Sequence, residues 1–306
     1  MSADDPDIAA PLDPPVWYEP LRAPSWLVPG IRDDAATIVY SAEAWQEPSV
    51  DPARSDLRLG LPLYLAEAAR FGTNTRPIAL RTALAPGDRV PDARFMMRSA
   101  VAPGSDASIR VRVHDAHDDV IGEVVRQAKD ERSLGEALEA LPHAVSEITP
   151  KEDVRRTWSS AYILPSGPAL TAYVRGQRAC LRLRDGVLPS AADPDAIAER
   201  RAAVRLVLGG LGSLATSTSE PFPALLFFGA LLAAHDAESP VVGEFRLQAN
   251  ARCTTATDPR DPVYAMAALV MRLFGDLDAS ERRMKALRAT SDESMQTWLE
   301  RVKAVT

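Results

Sequence analysis

Cysteine is scarce in this chain of 306 residues: Cys180 and Cys253 stand far apart, and neither belongs to a CxxC pair. That removes the main support for zinc, iron–sulfur and thioredoxin-type sites, and two isolated thiols suit a reducing compartment. Lysine is scarcer than usual as well, with Lys129, Lys151, Lys285 and Lys303 set against 31 arginines. About a sixth of the residues are alanine. Such an Ala/Arg-rich, Lys-poor composition reflects a GC-rich genome, so the arginines are not read as phosphate ligands. The formal charge of -7 opposes binding to a polyanion, because nucleic-acid affinity rests on a basic face that releases counterions. Residues 1–20 (MSADDPDIAAPLDPPVWYEP) show neither the basic start nor the apolar run of a secretory signal. The longest apolar stretch, PFPALLFFGALLAA at 221–234, falls short of the roughly 18–20 residues that span a bilayer. A cytoplasmic protein is expected, with no membrane span and no nucleic-acid partner.

Catalytic signatures are equally thin. No G-x-S-x-G elbow occurs, and His114, His117, His143 and His235 are the only imidazoles. Gly209-Gly210-Leu211-Gly212-Ser213 lacks the G-K-[ST] ending of a phosphate loop and follows a helix-like RRAAVRLVL, so helix termination by glycine is expected there. The sharpest cluster is HDAHDD at 114–119. His114 and His117, with an H-x-x-H spacing beside Asp115, Asp118 and Asp119, are the candidate metal ligands. The same residue types build tight hairpin turns, which is the preferred reading. No cofactor is assigned. The pairs Asp4-Asp5, Asp33-Asp34 and Asp118-Asp119 serve acid–base chemistry only if one member is desolvated. The two cysteines read as small buried apolar residues.

What the chain does have begins with an arm. Eight prolines lie in the first fifty residues, interleaved with Trp17, Tyr18, Trp26 and Trp45. Proline withholds ladder donors, so residues 1–34 are expected to be extended with little regular structure. Large aromatics on such an arm need a surface to bury against, and their own body is the preferred one, with a neighbour as the alternative. Trp17, Tyr18, Trp26 and Trp45 are therefore the candidate partner-binding residues, and DPPVWYEP could dock as a polyproline II ligand.

From residue 38 strands and a helix alternate. Ile38–Tyr40, Pro77–Ala83, Ala93–Val101 and Ala107–Val113 read as strands, and 59–71 as a helix stopped by Gly72. IRVRV alternates a buried and a wet face, and AHDD at 116–119 turns the chain into VIGEVVRQ, a hairpin. Ser133 followed by Glu136 reads as a capping box for the next helix, in which Pro142 predicts a kink or restart. Beyond 165 the chain reads as helical: 169–183, a helix opened by Asp193-Pro194, the nearly all-round apolar 221–236, a pair hinged at Gly275-Asp276, and a last helix burying Met295, Trp298, Leu299 and Val302. The fold class is thus α+β or α/β: an arm at 1–34, a mixed or antiparallel sheet with helices at 35–150, a linker at 151–164, and an α-helical, repeat-like domain at 165–306.

The run LGLPLYLAEAARF, RPIALRTA, ARFMMRSAV and IRVRVHDAHDDVIGEVV, within Leu57 to Leu141, resembles the amino-terminal domain of TolB-like proteins. ALTAYVRGQ and VYAMAALVMRLFGDLDASERRMKAL resemble tetratricopeptide-like hairpins. The resemblance implies a bacterial regulator or adaptor. Residues 187–260 depart from the repeat pattern. Stacked hairpins leave a groove that binds peptides or partner proteins. A non-enzymatic protein-interaction adaptor, or an accessory subunit of an assembly, is therefore expected, its partner another protein or its own oligomer. The alternatives are a sensor binding a small ligand between the domains and an enzyme with an unrecognised site.

Overall fold

A computed structural model describes residues 11–21, 27–43, 52–84, 90–102, 107–151, 154–155, 162–185, 194–237, 239–288 and 293–303. The chain divides into two compact units, one of Met1–Pro15 with Gly30–Arg178, the other of Val16–Pro29 with Ala179–Thr306.

The first unit is built on a six-stranded mixed sheet. Its strands are β1 (Pro11–Leu12), β2 (Thr37–Ala42), β3 (Arg76–Leu80), β4 (Phe95–Ala102), β5 (Ala107–Asp115) and β6 (Val120–Ala128). They lie in the order β1-β3-β2-β4-β5-β6. β2 runs parallel to both β3 and β4, whereas β4, β5 and β6 form an antiparallel meander. The parallel pair needs a crossover, which is α1 (Pro52–Gly72). α1 packs on β2, β3 and β4, and α2 (Glu131–Ile148) on β6 and β5. The alternation expected from IRVRV holds: Ile109, Val111 and Val113 are buried, while Arg110 and Arg112 are half-exposed.

α2 starts differently from the sequence reading. The N-cap is Asp130, whose carboxyl accepts from the Ser133 N–H at 2.7 Å, and the Ser133 hydroxyl accepts from the Asp130 N–H at 3.0 Å. Ser133 is the third residue of the helix rather than its cap, and Glu136 instead pairs with Arg132 at 3.2 Å. Pro142 does not restart α2, which runs continuously past it.

α3 (Gly167–Arg184) lies against α1 in this unit. A Cβ at Gly60 would overlap the Val174 carbonyl, and one at Gly135 would overlap Gly167. Such close approach is available to glycine alone. Within the contact, Glu67 is wholly buried and accepts from the Tyr173 hydroxyl at 2.7 Å, the Gln177 amide at 3.1 Å and the Tyr162 hydroxyl at 3.2 Å. Tyr162 also stacks on Phe71, ring centroids 4.7 Å apart. These contacts tie the expected linker region and most of α3 to the sheet unit, so the division falls inside α3, after Arg178, and not at 165.

The second unit contains α4 (Pro194–Ser217), α5 (Pro221–Asp236), a 3-10 segment (Pro240–Phe245), α6 (Arg246–Thr255), α7 (Pro262–Leu273), α8 (Leu277–Arg288) and α9 (Glu293–Lys303). α5 is its centre, with every residue from Phe222 to Ala234 buried, as an all-round apolar helix requires. α7 and α8 form the expected hairpin, with Gly275 at φ +75° in the left-handed region that favours glycine. Trp298, Leu299 and Val302 are buried on α9. α4 corrects the glycine reading: it continues through Gly209, Gly210 and Gly212. A Cβ on Gly212 would stand 2.6 Å from Gln248 Oε1 and 3.1 Å from Phe227 Cζ, so that glycine permits close helix packing. Among the described residues no helix is long and apolar enough to cross a membrane.

Candidate functional site

Of the four aromatics named as partner-binding candidates, Trp17 and Tyr18 lie among the described residues. Trp17 is completely buried in its own unit, edge-on to Phe222 at 5.8 Å and pressed on Gly229, where a Cβ would come within 2.9 Å of it. Burying a whole indole against α5 favours self-packing, so Trp17 is an internal anchor and not a docking side chain. The Trp17–Leu21 stretch is turned, with the Leu21 N–H donating to the Trp17 carbonyl at 3.2 Å, and Glu19 pairs with Arg184 at 3.0 Å. Tyr18 is half-buried. Trp26 and Trp45 lie outside the described residues.

The HDAHDD cluster is the β5–β6 turn. The Asp115 carboxyl accepts from the N–H groups of His117 at 2.8 Å and Asp119 at 3.1 Å, and these bonds hold it below the usual carboxylate range. Asp118 closes the turn at φ 68°, a left-handed conformation that aspartate tolerates. His114 is buried at the end of β5, with Nδ1 3.1 Å from both the Asp118 carbonyl and its Oδ1. His117 is exposed, 3.8 Å from Asp115 Oδ2. No group of three or more His, Cys, Asp or Glu side chains able to hold a metal occurs among the described residues. Burial pushes the thiols of Cys180 and Cys253 up to about 12, which suppresses the nucleophilic thiolate. Of the acidic pairs, Asp34 is engaged by Arg32 at 2.7 Å and Asp118 by Arg98 at 2.8 Å.

Hollows open among the described residues of the sheet unit. One of about 20 Å³, between Tyr40, Met97, Leu65, Ala69 and Val145, has room for about a single water. A cleft of about 170 Å³ has a floor of Leu57, Val101 and Leu134 and a rim of Lys129, Glu131 and Arg175. Small-molecule sites run from roughly 300 to 1,000 Å³. Arg175 in that rim is already committed to Glu131 at 2.7 Å.

On the outer face of the meander Arg98, Arg110 and Arg112 are matched by Asp118, Glu43 and Glu123, with Arg112 Nε 2.8 Å from Glu123 Oε1 and Arg110 3.0 Å from Glu43. This ladder ends at β6, which pairs with β5 alone among the described strands. There Val120, Ile121 and Val125 are 54%, 42% and 43% exposed. An edge strand is a row of unpaired backbone groups and a template for another strand. The opposite edge, β1, is only Pro11–Leu12.

A second surface lies on the helical unit. Arg205 grips Glu244 through two bonds of 2.7 and 2.6 Å, Gly209 faces Phe245 and Gly212 faces Gln248. The numbers rise together, so α4 and the stretch from the end of the 3-10 segment into α6 run side by side in one direction. At about 100° per residue, Leu206 and Leu247 each sit one residue off the facing line and project from the same side of the pair. They are 79% and 83% exposed. Gly210 and Gly243 are exposed too, with open space where a Cβ would stand.

No protein-family model matches this chain, and no curated protein is significantly similar to it. Sequence reasoning missed both surfaces, although Val120 and Ile121 directly after an acidic turn, and Leu206 between Arg205 and Val207, were visible signals.

Proposed function

We propose that the protein is a non-enzymatic, cytoplasmic interaction subunit that joins other chains through two separate surfaces, one on each unit. The observation that carries this reading is the two leucines: large aliphatic side chains are seldom left about four-fifths exposed on one side of a helix pair unless a partner covers them. The occupant that fits is an apolar helix of a partner protein. An amphipathic helix lays its apolar face on such aliphatic anchors, and Gly210 and Gly243 are exposed without a side chain of their own. The resemblance of Leu57–Leu141 to TolB-like amino-terminal domains, and of the tail to tetratricopeptide-like hairpins, belongs to the same proposal, since such arrays work through protein contacts.

The test is the double variant Leu206→Glu/Leu247→Glu, isolated from its native cells beside the unaltered chain, together with a photocrosslinking residue placed at 206. Both positions are exposed, so the melting temperature is expected to be unchanged. A stoichiometric partner that crosslinks from position 206 and is lost in the double variant is the expected result. Retention of that partner in the double variant, or absence of any crosslink from 206, overturns the reading.

A further inference from the structure

We propose that β6 pairs antiparallel with the β6 of a second copy of this chain across a two-fold axis, joining two six-stranded sheets into one. The inference rests on the interaction reading and names the occupant of its other surface. β6 is a nine-residue edge and carries three exposed aliphatic side chains, while the far edge is two residues long and includes Pro11. A proline at an edge withholds a donor and discourages pairing. β6 has no such guard.

The face each residue occupies limits the register to pairs of equal parity, and charge and shape choose among them. Arg110 opposes Val125, Arg112 opposes Glu123 and Ser108 opposes Gln127, so Glu123, Val125 and Gln127 share the outer face. Residues opposed across an antiparallel pair share a face, so a continuous sheet pairs only positions of equal parity. With Val125 on the axis, it meets Val125 of the second copy, and Glu123 meets Gln127 on either side. On the helix-covered face Val124 meets Arg126 and Gly122 meets Ala128. Nowhere do like charges oppose, and a central β-branched pair is flanked by two carboxylate–amide contacts. That is the self-complementarity an isologous interface demands. Two copies of a chain carrying -7 repel at long range. A neutral, self-matching strand is a place where this repulsion is locally weakest.

Sedimentation of the purified chain tests the pairing. A monomer–dimer equilibrium with a dissociation constant on the order of micromolar is expected for a contact of this size. Val125→Lys is expected to weaken it at least about tenfold, because two ammonium groups would meet on the axis. Val125→Cys is expected to oxidise to a covalent dimer, since opposed residues in an antiparallel pair lie about 4.5–5.5 Å apart, within disulfide reach. Gln127→Glu sets like charges opposite one another and is expected to weaken the dimer, and Glu123→Gln added to it to restore the dimer. A chain that stays monomeric at about 100 μM and gives no Val125→Cys dimer overturns the proposal, as does a dimer indifferent to Val125→Lys. If the chain is monomeric yet Leu206→Glu/Leu247→Glu still sheds a crosslinked partner, the second-copy proposal fails alone. If neither occurs, the interaction reading fails with it.

Discussion

The Tyr64 hydroxyl makes good the hydrogen bond that Pro142 cannot. Pro142 has no N–H, so the Leu138 carbonyl four residues earlier loses its helical donor, and Tyr64 on α1 donates to that carbonyl at 3.1 Å. This is why α2 passes through a proline unbroken. Tyr64→Phe leaves a buried carbonyl unpaired and is expected to cost about 1–3 kcal/mol by denaturant titration. In a Pro142→Ala background the restored N–H serves the carbonyl, and the same change is expected to cost less. Equal costs in the two backgrounds would show that the hydroxyl and the proline are uncoupled.

The Glu67 cluster ranks its donors by distance. Tyr173 at 2.7 Å is buried and Tyr162 at 3.2 Å is less enclosed. Tyr173→Phe is expected to lower unfolding stability by about 1–3 kcal/mol and Tyr162→Phe by less, since its ring keeps the stack on Phe71. Chemical denaturation of the two variants checks the order.

Neighbouring glycines of α4 should respond in opposite ways. Gly212→Ala forces a Cβ onto Gln248 and Phe227, and a lower melting temperature is expected. Gly210 opens to free space, so Gly210→Ala is expected to be neutral or to stabilise by up to about 1 kcal/mol through helix propensity. Thermal unfolding distinguishes them.

The buried thiols set an alkaline limit. Cys180 and Cys253 hold their protons up to about 12 in the folded chain. A group whose pKa is raised by folding contributes its full stability below its unfolded value, about 8.5, and loses it as pH climbs toward the folded value. Stability is therefore expected to fall between about pH 8.5 and 12, less steeply in Cys180→Ala at matched baseline. Native protein is expected to react with a thiol reagent at pH 8 only as fast as it unfolds.

Much of the fold was legible because hydrophobic period reports it directly. IRVRV, the apolar 221–236 helix and the Gly275 hinge need no distant partner to be read. The errors have a common origin in tertiary contacts. Gly212 reads as a stop until Gln248 and Phe227 are known to press on it, and Pro142 reads as a break until Tyr64 is seen. For Trp17 the sequence reading prefers burial on the chain's own body, and the structure supplies Phe222 and Gly229 as its seat. The exposed patches escaped for a related reason: the exposure of Leu206, Leu247 and Val125 depends on which elements pack beside them, and a single residue letter does not carry that.

Hydrogen–deuterium exchange across the β6 peptide, at low and high concentrations of the purified chain, tests most directly whether this edge is left for another strand. Slower exchange in Val120–Ala128 as concentration rises, abolished by Val125→Lys and confined to that strand, is the result predicted. Exchange in β6 that is identical at both concentrations would contradict it.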